Sequence, residues 1–475
     1  MHGQHQDTRG ETGVYTCNES DEGLIGAEAD ETPETVDPHP NEARQLPLNH
    51  KPVSPEAERL IEDILHQVEL REGRHYQRGA ASQERLRAAV RALVGGLLLH
   101  AGRYGTSEWC WMQTSAGAFT GTGIGYRQYR AVEKAMLEAG LIEKLEGFNK
   151  FYGVPGEFGP GVALARRFAA RFRGTERLWE CARRHGIALE EVGQHFERLR
   201  PSDNTPVYIK PLSAKVAGRR IPGKHLSLPR SGKAAIELER IVAGVREVNA
   251  FVAGRQVEGC DPITFQRGYS VDLNHGGRWY ARGDNYQNLP KEARLGLRID
   301  GEPVAEVDVR ASHLTILLGM QGLPLPEGDP YAGFGYPREV VKAWIVATLG
   351  AGAPAARWSP QAARSLREDG VSLDGITAAM VREAVLQRYP FLSTLPALLG
   401  CPQEPRLSSL RLMNIEANAL TMAMQYLRVA RDVLALPMHD SLIVPQSAVR
   451  AAEEALRQSY RAAIGLYPKL TVRVA

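Results

Sequence analysis

Two aspartates in the second half of the chain have the sequence surroundings of metal-binding carboxylates. Asp308 lies in Val304–Val309, a stretch rich in β-forming residues, and Asp440 follows His439 between two apolar runs that predict a β-hairpin. Carboxylates are hard ligands that suit Mg²⁺, and two such ions about 3.5–4 Å apart support phosphoryl transfer onto a hydroxyl group. Taken alone, Asp308 has a simpler explanation, because an Asp at a strand end often caps the next helix.

A pair of cations is predicted on one face of a helix between these aspartates. Pro337 suits a first helical turn, and Arg338 and Lys342 follow it four residues apart, which places them on the same side. Such a pair suits a triphosphate, because the leaving pyrophosphate gains negative charge in the transition state. An exposed amphipathic helix would show the same spacing, so assigning this pair to a triphosphate depends on the neighbouring segments.

Four segments in a fixed order between Gly276 and the C-terminus resemble the family A DNA polymerases. GGRWYARGDNYQNLP resembles the family's TGR…NLQNIP run, and GEPVAEVDVRASHLTILLG resembles the segment that holds its first catalytic aspartate. GYPREVVKAWIVATLGAG resembles its fingers helix, and LPMHDSLIV, after a helix with two asparagines, resembles the hairpin with its second aspartate. The resemblance covers about 200 residues. It implies an α+β fold, a right-hand polymerase palm with short fingers.

The resemblance also implies the roles of the residues nearest the reaction. Two Mg²⁺ ions, for which Mn²⁺ can substitute, would be held by Asp308, Asp440 and the carbonyl of Val309. The catalytic residues would be the two aspartates and Lys342. Arg338, Lys342 and His313 would contact the incoming nucleotide, with His313 in the place of the glutamate that blocks the 2′-hydroxyl.

Polar side chains in the first and fourth segments would bind the template and primer. Long donors suit this task, because minor-groove acceptors occupy similar positions in every base pair. The residues that the resemblance assigns to this contact are Arg278, Asn285, Gln287, Asn288, Asn414, Asn418 and His439.

The sequence departs from the family at several positions, which leaves more than one function open. Val346 stands where an aromatic residue is usual, the expected Tyr-Gly is absent from Gly350–Gly352, and Ser441 replaces a common Glu. We expect a minimal DNA-directed DNA polymerase without a proofreading domain, acting on nucleoside triphosphates. The His-Asp-Ser spelling is also similar to the single-subunit RNA polymerases, so an RNA polymerase or primase is the alternative. A third hypothesis is a DNA-binding replication or regulatory protein with an inactive palm.

The first half of the chain predicts a winged helix-turn-helix module. A helix over Tyr126–Ala139 ends at Gly140, and short strands over Leu141–Lys144 and Lys150–Val154 follow. A small packing module with a solvated basic face is the alternative. The candidate DNA contacts lie on one face of the helix: Arg127, Arg130 and Lys134.

Charge is distributed unevenly along the 475 residues. Residues 1–50 hold eleven Asp/Glu and two Lys/Arg, which leaves 56 basic and 44 acidic residues in 51–475. An acidic tail before a basic body favours a nucleic-acid partner. We predict a disordered tail over 1–54, the winged helix over 55–160, a basic helical and linker region over 161–255, similar to a thumb, and the palm and fingers over 256–475.

Other features constrain the class of protein. Five cysteines without a CxxC pair disfavour a zinc site or a disulfide framework, and predict a cytoplasmic protein. No apolar run is long enough to span a membrane. Residues 201–233, with seven Lys/Arg against one acid, predict an extended arm along a phosphate backbone or a plain linker.

Overall fold

The protein was examined as a computed structural model, which describes residues 43–73, 76–114, 119, 124–156, 159–212, 214–216, 219–221, 225–282 and 285–474. The fold is mixed α+β. No helix within these ranges is long and apolar enough to cross a membrane. Most of the predicted acidic tail, residues 1–42, lies outside the described residues. Its last part is more ordered than predicted, because residues 44–45 and 50–52 form strands.

The chain divides into two compact units. The first comprises Met1–Thr205 with Cys260–Thr264 and Arg282–Asn288, and the second comprises the remainder from Pro206. The predicted boundaries lie at 160 and 255, whereas the chain passes from the first unit to the second near residue 205. The predicted linker region contributes residues to both units.

The first unit contains five helices and eight strands within the described ranges. Its helices are α1 (Pro55–Glu72), α2 (Ala80–Tyr104), α3 (Tyr126–Glu138), α4 (Glu176–Arg184) and α5 (Val192–His195). Its strands are β1 (Arg44–Gln45), β2 (His50–Pro52), β3 (Cys110–Met112), β4 (Ile142–Leu145), β5 (Phe148–Gly156), β6 (Gly159–Phe168), β7 (Ala170–Gly174) and β8 (Phe196–Arg198). The predicted helix over Tyr126–Ala139 is confirmed as α3, and Gly140 follows it with φ 65°, as expected of a C-cap glycine.

The first unit also contains a four-stranded sheet and a long hairpin. The sheet has the order β1-β3-β7-β4, and β5 pairs with β6 to form the hairpin between β4 and β7. The prediction that residues 160–200 are helical is wrong for β6 and β7. In β7, Phe172 is fully buried and the strand pairs with both β3 and β4, so sheet formation overrides the helix-like pattern of the arginines.

The second unit contains the remaining elements. Its strands are β9 (Val207–Lys210), β10 (Ala214–Val216), β11 (Arg219–Ile221), β12 (Val257–Glu258), β13 (Phe265–Ser270), β14 (Asp272–Ala281), β15 (Arg298–Ile299), β16 (Glu302–Val309), β17 (Leu436–Met438), β18 (Ser441–Pro445) and β19 (Leu470–Val474). Its helices are α6 (Gly232–Ala253), α7 (Lys291–Leu295), α8 (Ser312–Met320), α9 (Arg338–Ala351), α10 (Pro360–Glu368), α11 (Ala378–Arg388), α12 (Leu395–Leu398), α13 (Leu407–Arg431) and α14 (Val449–Ile464).

The larger sheet of this unit is organised around β16. Its order is β12-β15-β16-β18-β17, and β19 pairs antiparallel with β16 at the end where β15 does not reach. Residues 304–307 of β16 are all buried, because helices and neighbouring strands cover both faces. The predicted strand at Val304–Val309 and the predicted hairpin at Asp440 are confirmed.

A smaller sheet has the order β14-β13-β9, in which β9 runs parallel to β13. Helix α13 packs against β14, α14 and α8. Residues 207–210 were predicted as part of an extended arm, and this is wrong because they form β9, whose Val207 and Ile209 are buried against α6 and Tyr269.

Candidate active site

The strand register brings the two aspartates to neighbouring positions. Asp308 lies opposite Ser441 in the β16–β18 ladder, and Asp440 immediately precedes Ser441 in the turn between β17 and β18. The backbone N–H of Val309 donates to the carbonyl of Asp440 over 3.2 Å. His439, in the same turn, has an exposed side chain and a left-handed backbone with φ 54°. The juxtaposition comes from the β16–β18 ladder itself, across 132 residues of sequence.

Both carboxylates have a raised pKa, and each contributes to a crowded negative site. Burial raises the pKa of Asp308, against the opposing effect of Arg473, whose Nη1 lies 3.7 Å from the Asp308 Oδ2. Burial, then the charges of Glu416 and Asp308, raise the pKa of Asp440 to about 7. Crowded carboxylates of this kind gain from a bound cation, because it offsets their mutual repulsion.

The donor set fits a hard divalent cation, although it is small. Asp308 and Asp440 supply carboxylate oxygens, which Mg²⁺ prefers, and Mg²⁺ commonly completes its shell with water and substrate phosphates. No group of three or more His, Cys, Asp or Glu with metal-binding geometry occurs in the described part of the chain. Any metal here would therefore depend on two protein carboxylates and on substrate oxygens.

Glu416 on α13 lies at the centre of a buried polar network that the sequence analysis did not identify. It is 1% exposed, and its Oε2 accepts from Arg278 Nε at 3.0 Å and from Nη2 at 2.5 Å. Its Oε1 accepts from Ser312 Oγ at 2.7 Å, and this hydroxyl also contacts Tyr460 Oη at 2.8 Å. Burial alone would raise the pKa of Glu416, but His313 and Arg278 hold it well below its usual range.

A signal for Glu416 exists in the sequence. Leu412, Glu416 and Leu420 follow one another at intervals of four, so the carboxylate stands in the apolar stripe of α13. All three are buried. A charged residue within such a stripe indicates a buried partner, and Arg278 is that partner.

Two residues with predicted substrate contacts are held by this network. Arg278, predicted to reach the minor groove, forms its ion pair with Glu416 instead. His313, predicted to contact the nucleotide sugar, has its Nε2 3.3 Å from Glu416 Oε1. Glu416 therefore holds Arg278 by two hydrogen bonds, whereas His313 Nε2 lies close to the carboxylate without a hydrogen bond among the described residues.

Arg338 and Lys342, the predicted cation pair, both lie on α9 as expected. They differ in whether an acid is paired with them. Arg338 donates from Nε to Asp329 Oδ2 at 2.7 Å, and its guanidinium lies 5.6 Å from the centre of the Tyr331 ring. Lys342 is exposed, and no ion pair joins it to an acid among the described residues. Asp329 was not identified from the sequence. A triphosphate would compete with it for Arg338.

The polar residues assigned to the template and primer differ in their burial and in their hydrogen-bond partners. Asn414 is 2% exposed and donates from Nδ2 to the carbonyls of Leu273 and Gly276, so it anchors β14 rather than facing solvent. Asn418 is exposed, and it accepts from Arg267 Nη2 at 2.9 Å.

The other three belong to the first unit by their contacts. Asn285 is buried and its Oδ1 accepts from the backbone N–H of Gln287 at 2.8 Å, which shapes a turn. Asn288, at the end of that turn, is exposed. Contact of these residues with a nucleic acid remains a prediction.

The raised pKa of Asp440 predicts that the site destabilises the metal-free protein. An ionised Asp440 is disfavoured in the fold, so stability falls as pH rises from the unfolded value of 3.8 to about 7, and stays low above it. In EDTA at about pH 8, we expect Asp440→Asn to be more stable than the wild type by about 1–2 kcal/mol. With Mg²⁺ at about ten times its Kd, the wild type should gain about 1.4 kcal/mol and the variant nothing.

Thermal unfolding in EDTA and in Mg²⁺ measures both effects. Asp369→Asn, at an exposed position after α10, is the matched control and should respond to Mg²⁺ as the wild type does. A variant Asp440→Asn that is less stable than the wild type in EDTA would show that this carboxylate has a structural role.

Comparison with known proteins finds no matching protein family. It also finds no matching curated protein.

Proposed function

We propose that the second unit is a template-directed nucleotidyltransferase that uses two Mg²⁺ ions, and that it acts as a DNA-directed DNA polymerase. The observation that carries the proposal is the pair Asp308 and Asp440, placed together by adjacent strands and both with raised pKa values. Bound Mg²⁺ would lower the pKa of an attacking hydroxyl and neutralise the departing pyrophosphate. The order of the four segments in the sequence supports the same function.

The chain's own residues would divide the remaining work. Asp308 and Asp440 hold the ions, and exposed Lys342 on α9 presents positive charge to the phosphates. His313, half-buried beside Glu416, limits the space for the sugar. Arg338 joins Lys342 once a triphosphate replaces Asp329 as its partner.

Primer extension tests this proposal. The wild type is incubated with a short primed DNA template and Mg²⁺, with dNTPs and NTPs in separate reactions. Extension with dNTPs supports a DNA polymerase. Extension with NTPs instead moves the protein to the alternative, an RNA polymerase or primase, for which His313 would contact the ribose rather than exclude it. Absence of extension with either set, under conditions where Mg²⁺ binds, refutes the proposal.

One observation favours the third hypothesis, a DNA-binding protein with an inactive palm. Two of the cations expected at the substrate are paired with acids, Arg278 with Glu416 and Arg338 with Asp329. An inactive palm would keep these pairs permanently. Neutralising Asp329 by Asp329→Asn distinguishes the cases, since an active enzyme should then bind nucleotide more tightly and an inactive one should not.

We also propose that the first unit binds duplex DNA as a winged helix. Its support is the chain order α2, β3, α3, β4, β5–β6 hairpin and β7, with β7 between β3 and β4 in the sheet. In this arrangement α3 would enter the major groove and the hairpin would be the wing. Arg130 and Lys134 on α3 pair with Glu133 and Glu138, whereas exposed Arg127 has no ion pair among the described residues.

Arg127→Ala is therefore expected to weaken duplex binding. If Arg127 contacts a phosphate, its removal should lower affinity for all sequences and reduce the salt slope, the change of log K with log salt concentration, by about 1. Fluorescence anisotropy with a labelled duplex across a salt series measures the slope. Arg59→Ala, an exposed arginine on α1, is the control and should leave the slope unchanged. Equal slopes for Arg127→Ala and wild type would refute the contact.

A further inference from the structure

One face of the small sheet β14-β13-β9 carries aromatic side chains around a glycine. Gly268 in the central strand lies opposite Tyr208 on one side and Arg278 on the other, and Gln266 lies opposite Tyr280. Residues opposite one another in a ladder share a face of the sheet, so both tyrosines belong to the face of Gly268. Their ring centres are 6.4 Å apart. We call this surface the aromatic face.

Gly268 is the reason that the two rings approach each other over the middle strand. A Cβ atom at this position would lie 2.3 Å from Tyr208 Oη and 2.8 Å from Tyr280 Cε2. Any side chain would therefore displace a ring. Tyr280 remains 37% exposed, so part of its ring is open to solvent above the buried glycine.

A third ring and a cation extend the aromatic face. His225 stacks on Tyr208 with ring centres 4.9 Å apart and planes inclined by 8°. The backbone N–H of Leu226 donates to the Ile209 carbonyl at 2.8 Å, which holds His225 beside β9. Lys210 Nζ lies 4.8 Å from the centre of the Tyr208 ring. Burial, then the charge of Lys210, lowers the pKa of His225, so it stacks as a neutral ring at neutral pH.

The segment that carries Tyr208, Lys210 and His225 has only basic charged residues. Residues 207–233 contain seven Lys/Arg and no Asp/Glu. The exposed rings of this face are Tyr280 and His225, with Tyr208 packed beneath His225. Exposed rings together with positive charge are complementary to a strand whose bases are unpaired, because every base has a stacking surface and every linkage has a phosphate. A duplex has no free base surfaces to offer.

The aromatic face also adjoins the candidate active site along one strand. Tyr280 stands two residues after Arg278 on β14, and Arg278 binds Glu416, whose charge raises the pKa of Asp440. The aromatic face therefore shares β14 with the arginine that joins the carboxylate network.

We propose that the aromatic face binds a single-stranded segment of nucleic acid by stacking bases on Tyr280 and on His225, which Tyr208 supports from below. This inference deepens the proposed function, on which it rests, by naming the site that holds an unpaired strand beside the catalytic centre. The chemistry is shared by template DNA and by an RNA strand.

Binding in EDTA without nucleotides tests the inference apart from catalysis. The full chain is titrated into labelled oligo-dT and oligo-rU of about 12 nucleotides, followed by anisotropy. We expect Tyr280→Leu and His225→Leu each to weaken binding about tenfold, and Tyr280→Phe to retain it. Tyr467→Leu is the matched control, since Tyr467 is 50% exposed and lies under Arg461 as Tyr208 lies under Lys210.

The outcomes separate this inference from the proposed function. Tenfold losses in both leucine variants, with wild-type unfolding temperatures and normal binding by Tyr280→Phe and Tyr467→Leu, support it whether or not the protein extends primers. If the leucine substitutions weaken binding of one oligonucleotide more than the other, oligo-dT or oligo-rU, that difference identifies the bound strand as DNA or RNA. Unchanged binding in the leucine variants, equal loss in Tyr467→Leu, or absence of binding by the wild type overturns it. A protein that extends primers yet shows unchanged binding refutes the aromatic face alone.

Discussion

Asp308→Asn is expected to lower nucleotide incorporation by on the order of 10³-fold or more, with the fold intact. The substitution keeps the size of the side chain and removes the charge that would bind the metal. Asp308 has no hydrogen bond that the fold depends on among the described contacts, and its cationic neighbour Arg473 is itself partly exposed. Steady-state primer extension in Mg²⁺ measures the loss, and thermal unfolding in EDTA measures the fold.

This experiment tests the charge of the Asp308 carboxylate, and a control variant tests the loss of a carboxylate elsewhere. Asp369→Asn removes an equivalent carboxylate from an exposed position in the same unit and should retain full activity. Asp308→Asn should also abolish the stabilisation by Mg²⁺ expected of the wild type. Full activity of Asp308→Asn would exclude the two-carboxylate mechanism. Lost activity with a normal response to Mg²⁺ would assign Asp308 a role other than metal binding.

Local patterns predict much of the second unit because they are properties of single elements. The alternation before Asp308 and the apolar runs around Asp440 each specify a strand, and both strands are present. The partnership of β16 with β18 follows from neither alone. It was predicted only through the resemblance to a family, since pairing across 132 residues leaves no local trace.

The incorrect predictions concern residues whose secondary structure or ion-pair partner is determined by tertiary contacts. Phe172 and its neighbours read as a basic helix, but two strands are available to pair with β7, and the sheet prevails. Arg278 and Arg338 were predicted to face substrates, and their ion pairs with Glu416 and Asp329 depend on residues distant in sequence or on a loop. Spacing identifies a cation, and the apolar stripe of α13 marks Glu416, whereas the pairing of a particular cation with a particular acid is found only in three dimensions.

Glu416→Leu should destabilise the second unit by about 3–5 kcal/mol. The substitution leaves Arg278 with a buried, unpaired charge, which costs more than the pair contributed. It also removes the acceptor of Ser312 Oγ. Because Glu416 has a lowered pKa, its contribution is present above the ordinary value of 4.5 and is lost as pH falls below it. The deficit of the variant should therefore narrow in acid.

Urea unfolding near neutral pH measures this deficit against Glu454→Leu, which removes an exposed glutamate 3.7 Å from Arg431 on α13. That control should cost less than about 1 kcal/mol, as exposed pairs do. Equal stabilities of the two variants would show that Glu416 is not ionised and paired in the fold.

The double variant Arg278→Met/Glu416→Leu tests whether the buried Arg278–Glu416 pair serves the stability of the fold or the reaction. Replacing both charges with apolar groups leaves no orphaned charge, so we expect it to recover most of the stability that Glu416→Leu loses. If Arg278 and His313 act on the substrate while Glu416 positions them, this stable protein should still extend primers poorly. Recovery of both stability and activity would show that the pair serves the fold alone. Stability regained without activity would show that the buried charge pair serves the reaction, by holding Arg278 and His313 beside Asp440.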